Sequence, residues 1–212
     1  MNDFVVSYLY AIVALFVIID PISVGVLFAG MTQMDSPAER LTIARRSCLI
    51  GLIVLAVFGL AGEGLLRLLG ISIPALRIAG GVLLFLSAAS MVSAPAEIRA
   101  ANEDGSPKPR APDDDISVFP LAIPWIAGPG AMTWMVLLHS KAAGSLYAIA
   151  GLESALLTLI AATFIAMLSA RTLSRLLGDT SAHVIGRVFG VLTAAMAAQF
   201  VIEGVRQAFH IA

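Results

Sequence analysis

The chain has 212 residues (22.1 kDa), of which 59% are hydrophobic and only 13% charged, with a mean hydropathy of +0.94. A soluble domain carries about 25% charged residues, so this apolar surplus has no aqueous core to hide in, and the same surplus excludes a disordered chain. Thirteen Lys and Arg against fourteen Asp and Glu leave no basic stripe for nucleic acid, and the lone Cys48 excludes a disulfide scaffold.

Lipid is therefore the expected solvent. A helix needs about 20 apolar residues to cross roughly 30 Å of hydrocarbon. Six stretches qualify: Phe4–Phe28, Ser47–Leu69, Pro74–Val92, Ile116–Leu138, Leu146–Leu168 and Ala182–Ile202. The first carries Asp3 and no basic residue, so it reads as a retained helix rather than a cleaved signal. The expected fold is an all-α polytopic membrane protein with six transmembrane helices.

Orientation follows from the basic residues of the loops. Arg40, Arg45, Arg46, Arg99, Lys108, Arg110, Arg171, Arg175 and Arg187 follow spans one, three and five; Arg67, Arg77, Lys141 and Arg206 lie on the other side. Both termini are expected outside the cytoplasm. Residues 94–115 hold Pro95, Gly105, Pro107, Pro109, Pro112 and the acidic run Asp113-Asp114-Asp115. They read as a cytoplasmic linker, a solvated hinge between one unit at 1–93 and another at 116–212.

The two units resemble each other. Arg67-Leu68-Leu69-Gly70 recurs as Arg175-Leu176-Leu177-Gly178, and Asp20-Pro21 falls opposite Gly128-Pro129, both at an offset of 108. Arg77-Ile78-Ala79-Gly80 answers Arg187-Val188-Phe189-Gly190 at an offset of 110. Ordered matches at a nearly constant offset indicate duplication. Three spans per copy place the copies in the membrane in opposite directions. The expectation is a pair of inverted three-helix repeats, an arrangement common among secondary transporters.

Spans one and four are expected to be broken at matching depth. Asp20 follows a long uncharged stretch, and Pro21 removes a backbone donor and biases Asp20 away from helical geometry. Span four holds Pro120, Pro124, Gly128, Pro129 and Gly130. Non-helical backbone in hydrocarbon survives only against protein or a water-filled cavity. Paired breaks offer helix N-termini to a carboxylate and carbonyl ends to an ammonium or cation, which suits a zwitterion.

The candidate substrate-binding residues are therefore Asp20, Pro21 and Ser23 in span one, and Ala127, Gly128, Pro129, Gly130 and Thr133 in span four. Arg77, Gly80 and Gly81 in span three, with Arg187 and Gln199 in span six, join them. Asp20, costing at least about 2.5 kcal/mol if charged and unpaired, reads as a ligand group, a coupling proton site or a bond within the kink. Arg77 and Arg187 sit where a cation is mildly disfavoured, so each has a specific partner or snorkels to the interface. Gln199 lines the site or joins two helices. Glu63, Glu153 and Glu203 read as interfacial, and the paired glycines Gly80-Gly81 as a close-packing face.

No nucleophile–base pair, metal-ligand spacing or nucleotide-binding glycine loop is visible, and His139, His183 and His210 are far apart. The chain is expected not to be an enzyme. No cofactor is expected beyond a coupling H⁺ or Na⁺.

Asp20-Pro21, the stretch Gly70-Ile71-Ser72-Ile73-Pro74 leading into Arg77-Ile78-Ala79-Gly80-Gly81, the run Pro120-Leu121-Ala122-Ile123-Pro124 with Ala127-Gly128-Pro129-Gly130-Ala131, and Gln199-Phe200 resemble the MarC family of bacterial inner-membrane proteins. The resemblance covers nearly the whole chain. It implies a six-span fold related to amino-acid exporters of the LysE type, with small neutral amino acids as the substrate class. The family continues its Asp-Pro motif with Gly-Asn two residues on; here Ser23-Val24 stands there, which implies a different substrate range. The expected function is secondary transport of small neutral amino acids or similar zwitterions across the bacterial inner membrane. The alternative is a non-transporting scaffold or stress-related accessory protein, for which the interface between the breaks should be dry and packed. Self-association is left open.

Overall fold

The computed structural model describes the backbone of residues 2–93 and 115–210, and side chains of the last helix from Arg187 onward. Most of the expected linker, residues 94–114, lies outside the described residues, as do the ends at 1 and 211–212 and the side chains of the second Arg-Leu-Leu-Gly motif at 175–178.

Span one is two helices end to end, α1 (Asn2–Ile19) and α2 (Pro21–Met31), which together form one apolar crossing from Asp3 to Met31. The break is confined to Asp20, which adopts left-handed geometry (φ 48°, ψ 74°). Aspartate tolerates this region better than most side chains, and the following proline disfavours the ordinary helical one. The ladder resumes on either side: the Asp20 N–H donates to the Phe16 carbonyl and the Val24 N–H to the Asp20 carbonyl, each at 3.0 Å. Span one thus keeps its course through the membrane.

Span four is broken more severely. Ser117–Ile126 is a wide coil in which Phe119 and Ile123, each preceding a proline, are extended. Its turns close through five-residue hydrogen bonds, such as the Ala127 N–H to the Ala122 carbonyl at 2.8 Å. Helix α5 (Pro129–Ala142) then leaves at an angle of 54°. Asp115, last of the acidic run, is not free in solvent: it pairs with Arg46 at 2.9 Å and accepts from the Ser117 N–H at 3.0 Å, holding the start of this span to span two.

The remaining spans are α3 (Pro37–Leu68), α4 (Ile73–Ser93), α6 (Leu146–Leu168) and α7 (Ala170–Ala208). Helices α3 and α7 exceed their expected lengths by about ten and about eighteen residues. At about 1.5 Å per residue, the 32 residues of α3 and the 39 of α7 outrun the hydrocarbon. Hydropathy marks only the part inside lipid. The early start of α3 is fixed by a reciprocal cap, in which Ser36 accepts from the Glu39 N–H and Glu39 accepts from the Ser36 N–H at 2.8 Å.

The spans of one half pack on those of the other. Span one lies against span five, span two against span four, and span three runs along span six. Spans one, two and three make no comparably close pairing among themselves. One shared core results, built from Leu15 and Phe28 of span one, Leu55 of span two, Met135 of span four and Leu156 and Met167 of span five. Apolar side chains such as Val13, Ile53, Val57, Leu86 and Val191 are exposed. This inversion of the soluble pattern is expected when lipid is the neighbour. The longest pairing, α4 on α7, is close because Gly81 has no side chain: a Cβ there would lie 2.9 Å from the Ala197 carbonyl oxygen.

Candidate functional site

Helices α2 and α5 begin alike. In each a proline takes the first helical position, where its missing N–H costs nothing. At α2 the preceding residue is Asp20, and its Oδ1 accepts from the Ser23 N–H at 3.1 Å. At α5 the preceding residue is Gly128, and no side chain caps the helix. The Asp-Pro and Gly-Pro pairs matched in sequence therefore occupy the same position in their helices, with a carboxylate at one and none at the other.

Both starts face one cavity of about 170 Å³, lined among others by Asp20, Ser23, Gly128, Pro129 and Gly130. Asp20 is 2% exposed. Its capping oxygen is used, but Oδ2 is buried with no hydrogen-bond partner among the described residues. Helix α4 adds Ser87 and Ser90, whose hydroxyls donate to the Leu83 carbonyl at 3.0 Å and the Ser87 carbonyl at 2.7 Å. With its hydrogen so committed, the Ser87 hydroxyl can offer a ligand only oxygen lone pairs. On the opposite wall Gly130 and Ala131 belong to the first turn of α5, whose N–H groups have no intrahelical acceptor. One wall thus suits a cation and the other an anion.

Arg77 and Gln199 are elsewhere. They line a second cavity of about 160 Å³ with Tyr10, Trp134, Lys141 and Glu203. The two cavities use one stripe of α5, Gly130 and Ala131 for the first and Trp134, Leu138 and Lys141 for the second, at helical spacing. Between them Leu84 packs over Gly130 and Thr133 packs over Gly80, where a Cβ on either glycine would collide with the opposing side chain. Trp134 adds a wall by stacking on Phe200, with ring centres 4.8 Å apart.

The expected single site is thus divided. Asp20, Ser23, Gly128, Pro129 and Gly130 meet in the first cavity and Arg77 and Gln199 in the second, while Gly80 and Thr133 form the partition. Pro21 and Ala127 are buried beside the first cavity without lining it. Gly81 serves the α4–α7 contact. Arg187 is exposed and lines neither cavity.

Arg77 does not snorkel. It is 4% exposed and pairs with Glu203 at 2.9 Å, so Glu203, read as interfacial, is the partner its position required. Glu153 likewise lies against a side chain of another span. Its Oε1 lies 2.9 Å from Nε2 of the buried His139, although the two are misaligned for a hydrogen bond and have no other partner. His139 Nδ1 is 2.9 Å from the Met135 carbonyl oxygen, which can only accept, so Nδ1 carries a hydrogen.

Sequence reasoning missed Ser87, Ser90 and Trp125 in the first cavity and Tyr10, Trp134 and Lys141 in the second. A usable signal was present for the serines, which continue the helical face of Gly80.

The MarC family of integral membrane proteins matches residues 5–209. A UPF0056 membrane protein of Archaeoglobus fulgidus is 33% identical over 197 residues, 91% of this chain and 89% of its own. The inner membrane protein YhgN of Escherichia coli K12 is 32% identical over 196 residues, 92% and 94% of the two chains. The membrane protein YvbG of Bacillus subtilis is 31% identical over 203 residues, 95% of each. No solved structure matches the chain.

Proposed function

The chain belongs to the MarC family of integral membrane proteins, and from that premise we propose that it is a secondary transporter of small zwitterionic solutes, neutral amino acids foremost. One observation carries the reading: the buried, unpartnered Asp20 Oδ2 shares a cavity with an uncapped helix start. A solute ammonium would sit on Oδ2 among the serine lone pairs. Its carboxylate would sit at the start of α5, where Asp20 places its own carboxylate at α2. The solute would complete the cap that Gly128 lacks.

No covalent bond is made or broken in this process, and H⁺ or Na⁺ is the coupling ion if one is used. A scaffold would need a packed interface between the breaks, and a cavity that brings Asp20 and Ser23 together with Gly128 and Gly130 weighs against it. We read the halves as inverted repeats because exchanging them maps the span pairings onto themselves: one on five becomes four on two, and three on six is unchanged. We place the protein in the inner membrane, where its relative YhgN is named, with both termini outside the cytoplasm. A cysteine introduced in the 94–115 linker should resist impermeant maleimide in intact cells, and one at residue 2 or 212 should react; the reverse pattern would overturn this orientation.

The test of transport is reconstitution into liposomes with labelled glycine, alanine, serine and threonine. Saturable flux is expected for at least one of them. Asp20→Asn should lower gradient-driven flux about ten-fold or more, given a charge-assisted contact of about 1.5–3 kcal/mol, while elution and helix content stay unchanged. If Asp20 only couples, solute exchange without a gradient survives the substitution; if it binds solute, exchange fails too. Absence of flux for every solute, or wild-type rates from a folded mutant in both assays, would sink the proposal.

A further inference from the structure

The Arg77 cavity differs from the Asp20 cavity in offering an excess of hydrogen-bond donors. Both oxygens of Glu203 are engaged, Oε2 by Arg77 Nη1 at 2.9 Å and Oε1 by Gln199 Nε2 at 3.0 Å. Two N–H groups of the lining are left over. Arg77 Nε and Trp134 Nε1 are buried without an acceptor among the described residues, in residues only 4% and 8% exposed. Both groups are donors that cannot accept, and each buried donor left unmade is costly. Lys141 adds a third donor, so the cations Arg77 and Lys141 exceed the single carboxylate of Glu203. The walls between these groups are Tyr10, Leu137 and Phe200.

We propose that this cavity is a second binding site, which takes the carboxylate of a small solute through Arg77 Nε, Trp134 Nε1 and Lys141. Calling that solute the transported one rests on the reading above; the site itself does not. A fully hydrated divalent anion suits it poorly, because most of the lining is aromatic or aliphatic. A carboxylate on a short carbon stem matches both the donors and the walls. The two cavities then form consecutive stations along one face of α5. One is selective for the carboxylate end of a solute, and the other holds both ends.

The two tryptophans make the proposal testable, because Trp125 lines the Asp20 cavity and Trp134 the Arg77 cavity, and the chain has no other. In Trp125→Phe protein held in nanodiscs, Trp134 is the sole indole emitter. Acetate and glycine should each change its emission saturably, and methylammonium should not. Arg77→Gln in that background should weaken the acetate response about ten-fold or more and the exposed Lys141→Gln about three-fold. Lys141→Gln keeps the test valid if Arg77→Gln, by stranding Glu203, fails to fold. Chloride and inorganic phosphate are the competing anions. If either matches acetate, the carboxylate assignment is wrong. A Trp134 signal that ignores all anions, or that both substitutions leave unchanged, would also overturn the proposal and leave a cavity that holds only water. A silent Trp134 with intact amino-acid flux sinks this proposal alone. A saturable Trp134 response without any flux sinks the transport reading alone.

Discussion

Gly81→Val should lower the yield of folded, monodisperse protein by an order of magnitude. The Cβ it introduces would lie 2.9 Å from the Ala197 carbonyl oxygen and 3.0 Å from Phe200 Cβ, both fixed to the backbone of α7. No rotamer change moves a carbonyl oxygen, so α4 and α7 must part along their longest contact. Overpacking of this kind costs about 1–3 kcal/mol before the two further methyls of valine are counted. In lipid there is no water-driven burial to hold the pair together, only packing and hydrogen bonding. Gly64→Val is the control, since nothing lies within 4 Å of a Cβ there. Size-exclusion profiles and thermal midpoints of the two variants check the claim, which is wrong if Gly81→Val melts with the parent.

Glu153→Leu should destabilise the protein while Glu153→Gln should not. The His139 ring is clamped: its Nδ1 hydrogen is committed to the Met135 carbonyl, and Gly59 of span two packs where a Cβ would lie 2.7 Å from Cε1. Nε2 cannot swing toward another partner. Glutamine supplies an N–H to that lone pair. Leucine leaves a buried acceptor bare, at about 1–3 kcal/mol. Thermal midpoints should therefore rank wild type and Glu153→Gln together, with Glu153→Leu several degrees lower. Equal midpoints for all three would show that the pair contributes nothing.

What could be read from the sequence was whatever depended on near neighbours along the chain. Asp20-Pro21 and Gly128-Pro129 announce their geometry locally, because proline constrains itself and the residue before it. The structure places both at matching helix starts. The partner of Arg77 was hidden because Glu203 lies 126 residues away, and only the unfavourable place of a cation at a helix start hinted that one existed. Glu153 and Glu203 were assigned to the interface because hydropathy measures depth from the ends of an apolar window. Helix α7 runs past that window, and from there the half-exposed Glu203 still reaches Arg77. The division of the candidate residues between two cavities was equally out of reach. It depends on Leu84 and Thr133 filling the space above two glycines, a matter of crossing distance that no spacing encodes.

The interlocking of the halves has a consequence for synthesis. Spans one to three leave the ribosome before spans four to six and have almost nothing to pack on until those follow, since their partners lie there. At about 5–20 residues per second, the rest of the chain arrives over roughly ten seconds. Through that interval Asp20 and Arg77 lack the walls that later enclose them, and Arg77 waits for a glutamate 126 residues further along the chain. Any delay in translating the second half lengthens the exposure. The first half is thus a nascent chain that depends on the insertion machinery, or on lipid headgroups drawn toward its charges, until the last span closes over it.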